Sequence, residues 1–145
     1  MYKHILIATD GSEIANKAMT HGVDLAKALG SKLSAVTVTE PYESVVVPEA
    51  RGLVLPADYK KQCEEGATKI LSVVTSAADT AGIKCDVIHE QNRWPYEGVI
   101  EAAEKTGADL IVIGSHGRRG IEGLLIGSQA TKLLTHTKIA ALVVR

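Results

Sequence analysis

The chain has 145 residues, 46% of them hydrophobic and 23% charged, which suits one compact core and excludes a disordered or coiled-coil polypeptide. A net charge of −1 gives no field to steer it toward nucleic acid or an anionic membrane, and an aromatic content of 3% excludes a stacking platform for single strands. Phenylalanine is absent, so the core must be built from Val, Ile, Leu and Ala, the mixture of a parallel sheet covered by helices.

The first predicted strand is His4–Thr9. A helix follows, because Ala15, Ala18, Met19, Gly22, Val23, Ala26 and Leu29 recur at helical spacing before Gly30 stops it. Lys32–Thr39 is the second strand. Glu40–Leu55, with Pro41 and Pro48, is a long connection expected to act as a flap or a partner surface. A second helix is predicted over Pro56–Ala81, with Ala67, Ile70, Leu71, Val74 and Ala78 inward and Gly82 at its end. The third strand is Ile83–Glu90, and the third helix, Pro95–Thr106, turns Val99, Ala102 and Ala103 inward. Asp109–Gly114 is the fourth strand, apolar throughout its LIVIG run as a strand covered on both faces should be. Arg118–Ile126 occupies the place where a helix should begin at once. A short helix, Ser128–Thr135, is expected to bury Ala130, Leu133 and Leu134, and Lys138–Arg145 is the last strand. Strands alternating with helices through right-handed crossovers predict an open, doubly wound α/β sheet in a single domain, residues 1–145.

The apolar run in MYKHILIATDGS is too short for a signal peptide, and no stretch approaches the ~20 apolar residues that span a bilayer, so a cytoplasmic protein is expected. Cys63 and Cys85 lack zinc-ligand spacing and read as packing or surface thiols of a reducing compartment. His4, His21, His89 and His136 form no metal-ligand set and are expected at the surface.

In an open α/β sheet, ligands bind at the carboxyl ends of strands where the winding reverses. Two strand ends carry unusual residues: Ala8-Thr9-Asp10-Gly11-Ser12, and Gly114-Ser115-His116-Gly117-Arg118-Arg119-Gly120. They meet if strands one and four are neighbours, in the order 3-2-1-4-5. Gly114 and Gly117 would let the backbone turn sharply and approach a ligand. Gly127-Ser128 would present amides and a hydroxyl at a helix amino end, a site for phosphate. Arg118 and Arg119 would neutralise its charge. Purely local roles stand beside these. The loop could simply turn the chain, Ser128 could cap its helix, and Asp10 could cap the first helix in a box with Glu13. His116 reads as a solvated or hydrogen-bonding side chain sooner than as a general base.

Taken together, Gly114-x2-Gly117-x9-Gly127-Ser128, the TDGS after the first strand and the terminal LVV resemble the nucleotide-binding signature of the universal stress protein family. The resemblance runs over essentially the whole chain, from ILIATDGS to ALVVR. It implies a Rossmann-like fold: an open, parallel, five-stranded sheet of order 3-2-1-4-5 with helices on both faces. It also implies binding of ATP, or of ADP or AMP, with magnesium reached through Asp10 if at all. In that reading Ala8 and Thr9 line the base pocket, Val38 faces adenine, and Asp10 approaches the ribose or the metal-bound phosphates. Gly114, His116, Gly117 and Arg118 carry ribose and phosphates, while Gly127, Ser128 and Gln129 form the phosphate-binding helix start. Two departures stand out. Arg93, in RWP, replaces a glycine frequent in the family, and KIAALVVR lacks the proline that usually precedes the last strand. Neither touches the phosphate loop, and both are expected to bear on local geometry and partner choice.

No run supplies G-x-x-x-x-G-K-[ST] or, after the first strand, G-x-G-x-x-G, so P-loop and dinucleotide chemistries are excluded. A phosphoryl-accepting receiver domain fails too, because the third strand ends His89-Glu90-Gln91 and the fifth ends the sequence. No catalytic residue is assigned, since nothing resembles a positioned base and metal cage, and hydrolysis would be weak. The expected mechanism is a stress-response switch in which nucleotide orders residues 115–126 and a protein partner, unidentified, reads the change. An interaction module with another small ligand, or a slow ATPase, is the alternative. The apolar strand 139–144, at a sheet edge with the sequence ending at Arg145, is expected to pair antiparallel with a second copy as a homodimer.

Overall fold

A computed structural model describes residues 1–117 and 126–145. Within them the chain forms β1 (His4–Ala8), α1 (Glu13–Leu29), β2 (Lys32–Thr39), α2 (Tyr42–Val45) and α3 (Pro56–Ala81). It continues with β3 (Cys85–Gln91), α4 (Pro95–Thr106), β4 (Leu110–Gly114), α5 (Ser128–His136) and β5 (Ala140–Val144). The sheet is parallel, in the order β3-β2-β1-β4-β5.

β1 is central, and all five of its residues are buried. Because side chains alternate across a strand, Ile5 and Ile7 enter one core with Val23 of α1 and Leu71 and Val74 of α3. Leu6 and Ala8 enter the other, with Val99 and Ala102 of α4 and Leu133 of α5. Helices therefore cover both faces, as a buried parallel sheet requires. Small residues stand in for the missing large aromatics. A Cβ on Gly22 would come within 2.7 Å of Ile7 Cγ1, so α1 lies closer to the sheet than any side chain there would permit.

Several boundaries differ from the sequence expectation. Thr9 has left the first strand, and Ile83 and Lys84 precede the third. The long connection after β2 contains α2 and a single 3-10 turn at Pro48–Ala50. Tyr42 fastens it by donating its hydroxyl to the Arg51 and Val54 carbonyls, and Tyr59 of α3 donates to the Glu40 carbonyl. Leu134 is 43% exposed, because α5 presses only Ala130 and Leu133 against the sheet. His4 is buried, at 7% exposure, whereas His21, His89 and His136 are exposed as expected. Burial pushes the Cys85 thiol up to about 11, helped by Asp86 and Asp79, so it stays protonated at neutral pH. Among the described residues no helix is long and apolar enough to cross a membrane.

Candidate functional site

At the carboxyl end of β1 the chain must leave the sheet and start α1 within four residues. Gly11 takes φ +78°, a left-handed conformation open to glycine at little cost. The amide of Gly11 donates to Thr9 Oγ1 and that of Ser12 to Asp10 Oδ1, 2.9 Å away. Ser12 then caps α1, its hydroxyl accepting from the Ala15 amide. The reading of Asp10 as the cap of this helix, in a box with Glu13, is thereby corrected: Ser12 is the cap, and Asp10 braces the turn before it.

β4 lies beside β1, with Ala8 opposite Ile113, so its carboxyl end opens into the same space. The glycines there have reasons other than a sharp turn, since neither Gly114 nor Gly117 has positive φ. A Cβ on Gly114 would stand 3.2 Å from the backbone of Ile14, so this glycine lets α1 pack onto the strand end. One on Gly117 would stand 3.1 Å from Asp10 Oδ2. The Asp10 carboxylate stands against the room that Gly117 leaves. Buried Ser115 donates its amide to the Val144 carbonyl and accepts, at its own carbonyl, from the Gly127 amide. That bond folds the start of α5 back over the end of β4. His116 Nδ1 lies 2.8 Å from Ser115 Oγ.

Gly127, and not Ser128, is the N-cap of α5, and among the described residues no side chain caps its first turn. The leading amides of a helix have no partner within it and carry the positive end of its dipole. Gly127 also needs its small size, since a Cβ would meet Ser115 O at 3.1 Å and His116 Cα at 3.3 Å.

These elements enclose a cavity of about 630 Å³, in the range of small-molecule sites. Ala8, Thr9, Asp10, Val38, Gly114, His116, Gly117, Gly127, Ser128 and Gln129 all line it. Arg118 falls outside the described residues. Val36, Val38, Val99 and Ile113 give its lining an apolar part, and the glycines and the amino end of α5 belong to the same lining. Gly98 lets α4 pack closely on Val38, because a Cβ there would lie 2.8 Å from Val38 Cγ1.

Sequence reasoning missed the third wall. Glu40 and Ser44 come from the segment after β2, and Arg93, Trp94 and Pro95 from the loop between β3 and α4. Arg93, expected to bear on local geometry and partner choice, lines the same cavity. The loop reaches there because the Tyr96 amide donates to Gln129 Oε1, 3.1 Å away on α5. Burial raises the Tyr96 phenol, and its bond to Glu97 Oε1 adds to the effect. Among the described residues no group of three His, Cys, Asp or Glu side chains is placed to hold a metal ion.

The same fold recurs in known proteins. The profile of the universal stress protein family matches residues 1–145. A universal stress protein of Methanocaldococcus jannaschii is 33% identical over 147 residues, covering all of this chain and 83% of the relative. Among solved structures, universal stress protein UspA from Lactobacillus plantarum superposes with a TM-score of 0.85 at 20% identity, over 99% of this chain and 98% of that one. A universal stress protein in complex with cAMP gives a TM-score of 0.72 at 23% identity, over 99% and 97% of the two chains. A profile matched from end to end, with strands in the order that brings TDGS beside the glycine-rich loop, makes this chain a member of the universal stress protein family.

Proposed function

We propose that the chain binds an adenine nucleotide, ATP foremost with ADP and AMP as congeners, and acts as a nucleotide-dependent switch in a stress response. The observation that carries this reading is the lining of one cavity, in which Val36, Val38, Val99 and Ile113 give an apolar wall and Gly127–Gln129 bring the amino end of α5. A planar apolar base suits the first, and an anion suits the second. The fold neighbour bound to cAMP supports the choice of ligand class. Asp10 would approach the ribose or the phosphates from the β1 turn. Magnesium fits as a passenger on the nucleotide, because one carboxylate with phosphate oxygens is a common donor set for that ion. Bound there, it would screen phosphate charge beside Asp10.

The reading extends to assembly. β5 is an edge strand on which Ala140 is exposed and Leu142 is 37% exposed, so the proposed homodimer pairs this edge with that of a second copy. Calorimetric titration with ATP, ADP, AMP and cyclic AMP, with and without Mg²⁺, tests the proposal. Gly127→Val serves as the control, because its side chain would strike Ser115 and His116 and close the cradle. ATP binding in the micromolar range, lost in the variant, supports the switch. A folded wild type that binds none of the four refutes it and leaves an interaction module or another small ligand.

A further inference from the structure

Arg93 is exposed and forms part of the cavity wall. Four contacts determine where its guanidinium is offered. The Trp94 amide donates to Asn92 Oδ1 at 2.8 Å, which sets the turn of the loop. The Tyr96 amide ties the same loop to Gln129, in the first turn of α5. Lys132, one turn beyond Ser128, brings Nζ to 5.2 Å from the centroid of the Trp94 ring, while Arg93 Cζ lies 5.1 Å from that centroid. One indole thus gathers two cations beside the amino end of α5, by attraction to its ring face. Among the described residues, neither cation forms an ion pair with a carboxylate. The other charged side chains in the described wall are Asp10 and Glu40, both acidic. Within the described wall, an anion entering the cavity therefore meets Arg93 as a cationic partner, with Lys132 close behind.

Resting on the nucleotide reading above, we propose that Arg93 is a specificity-determining residue that selects nucleoside di- and triphosphates over monophosphates and uncharged nucleosides. The amino end of α5 receives an inner phosphate, and the planar fork of Arg93, braced by Trp94, takes an outer one. A planar guanidinium matches two phosphate oxygens at once, which a lysine cannot do. Trp94 is the chain's one tryptophan, so it also reports occupancy of the site.

The test is a set of titrations with adenosine, AMP, ADP and ATP on wild type, Arg93→Gln and Arg93→Lys, followed by calorimetry and by Trp94 fluorescence. Arg93→Gln is expected to weaken ATP and ADP roughly ten- to a hundredfold, the share of one charge-assisted contact, with adenosine and AMP within about twofold. Arg93→Lys should recover part of the loss, and the salt dependence of ATP binding should flatten in Arg93→Gln. If Arg93→Gln weakens all four ligands alike, or none, Arg93 only packs against Trp94 and the inference is overturned while the nucleotide reading stands. If the wild type binds none of the four, the nucleotide reading itself falls and takes the inference with it.

Discussion

The two ends of the sheet use polar residues in opposite ways. At the amino ends of β1 and β4 they satisfy one another. His4 lies between Ser34 Oγ, 2.8 Å from its Nε2, and the Thr106 carbonyl, 3.1 Å from its Nδ1. A carbonyl can only accept, so Nδ1 carries the proton and Nε2 receives the Ser34 hydroxyl, the pattern of a neutral ring. The Asp109 carboxylate accepts the amides of Lys3 and His4. At the carboxyl ends of the same two strands, Asp10, His116 and Gln129 hold local hydrogen bonds and, with Ser128, also line a cavity of about 630 Å³. The closed end is expected to govern stability, and the open end to govern binding.

The largest effect is expected where the two behaviours overlap. Gly114 lines the cavity, yet its missing Cβ is what lets Ile14 pack against it. Gly114→Val should cost at least about 1–3 kcal/mol through overpacking, read as a lower urea midpoint, and should weaken nucleotide binding as well. His4→Ala comes next. Stranding the Ser34 hydroxyl in a buried place should cost about 1–3 kcal/mol while ATP affinity stays within error, and a large affinity loss would erase the division between the two ends. Gln129→Ala should do the reverse. Freeing the β3–α4 loop from α5 should weaken ATP roughly tenfold, with stability changed by no more than about 0.5–1 kcal/mol.

The smallest effect is a pH slope. Burial, and then the charge of Lys32, lowers the folded pKa of His4 below 6.5, so protonation favours the unfolded chain. Its contribution is complete above pH 6.5 and declines as the pH falls from there toward the lower folded value. Asp109 acts in a lower window. The amides of Lys3 and His4 depress its folded pKa below 3.8, so its contribution is present above 3.8 and is lost as the pH falls through that lower value. Denaturation midpoints between pH 7 and 5 should therefore drop in wild type and stay flatter in His4→Ala.

The doubly wound class was legible because short apolar runs alternate with helical periods joined by right-handed crossovers, while the order 3-2-1-4-5 came from the family resemblance. The meeting of the two glycine-bearing strand ends was legible with it, since that order forces them together. The roles of single residues were harder to read. Gly114 and Gly117 announce close approach, but sequence does not say that the approaching groups are Ile14 and Asp10. His4 looks polar in isolation, although its place at the head of the wholly buried HILIA segment was a signal that it lies inside. Arg93 and Trp94 read as a turn before Pro95. Their arrival at the cavity depends on how α4 leans on α5 through Tyr96 and Gln129, a contact 33 residues apart in sequence.

Hydrogen–deuterium exchange with and without saturating ATP sets the two ends against each other within one sample. Slowed exchange is expected at the amides of 114–117 and 127–130 and around Trp94, with no change at Lys3, His4 and Asp109. Protection spread evenly over both ends, or none at 127–130, would contradict the assignment of the open end to nucleotide.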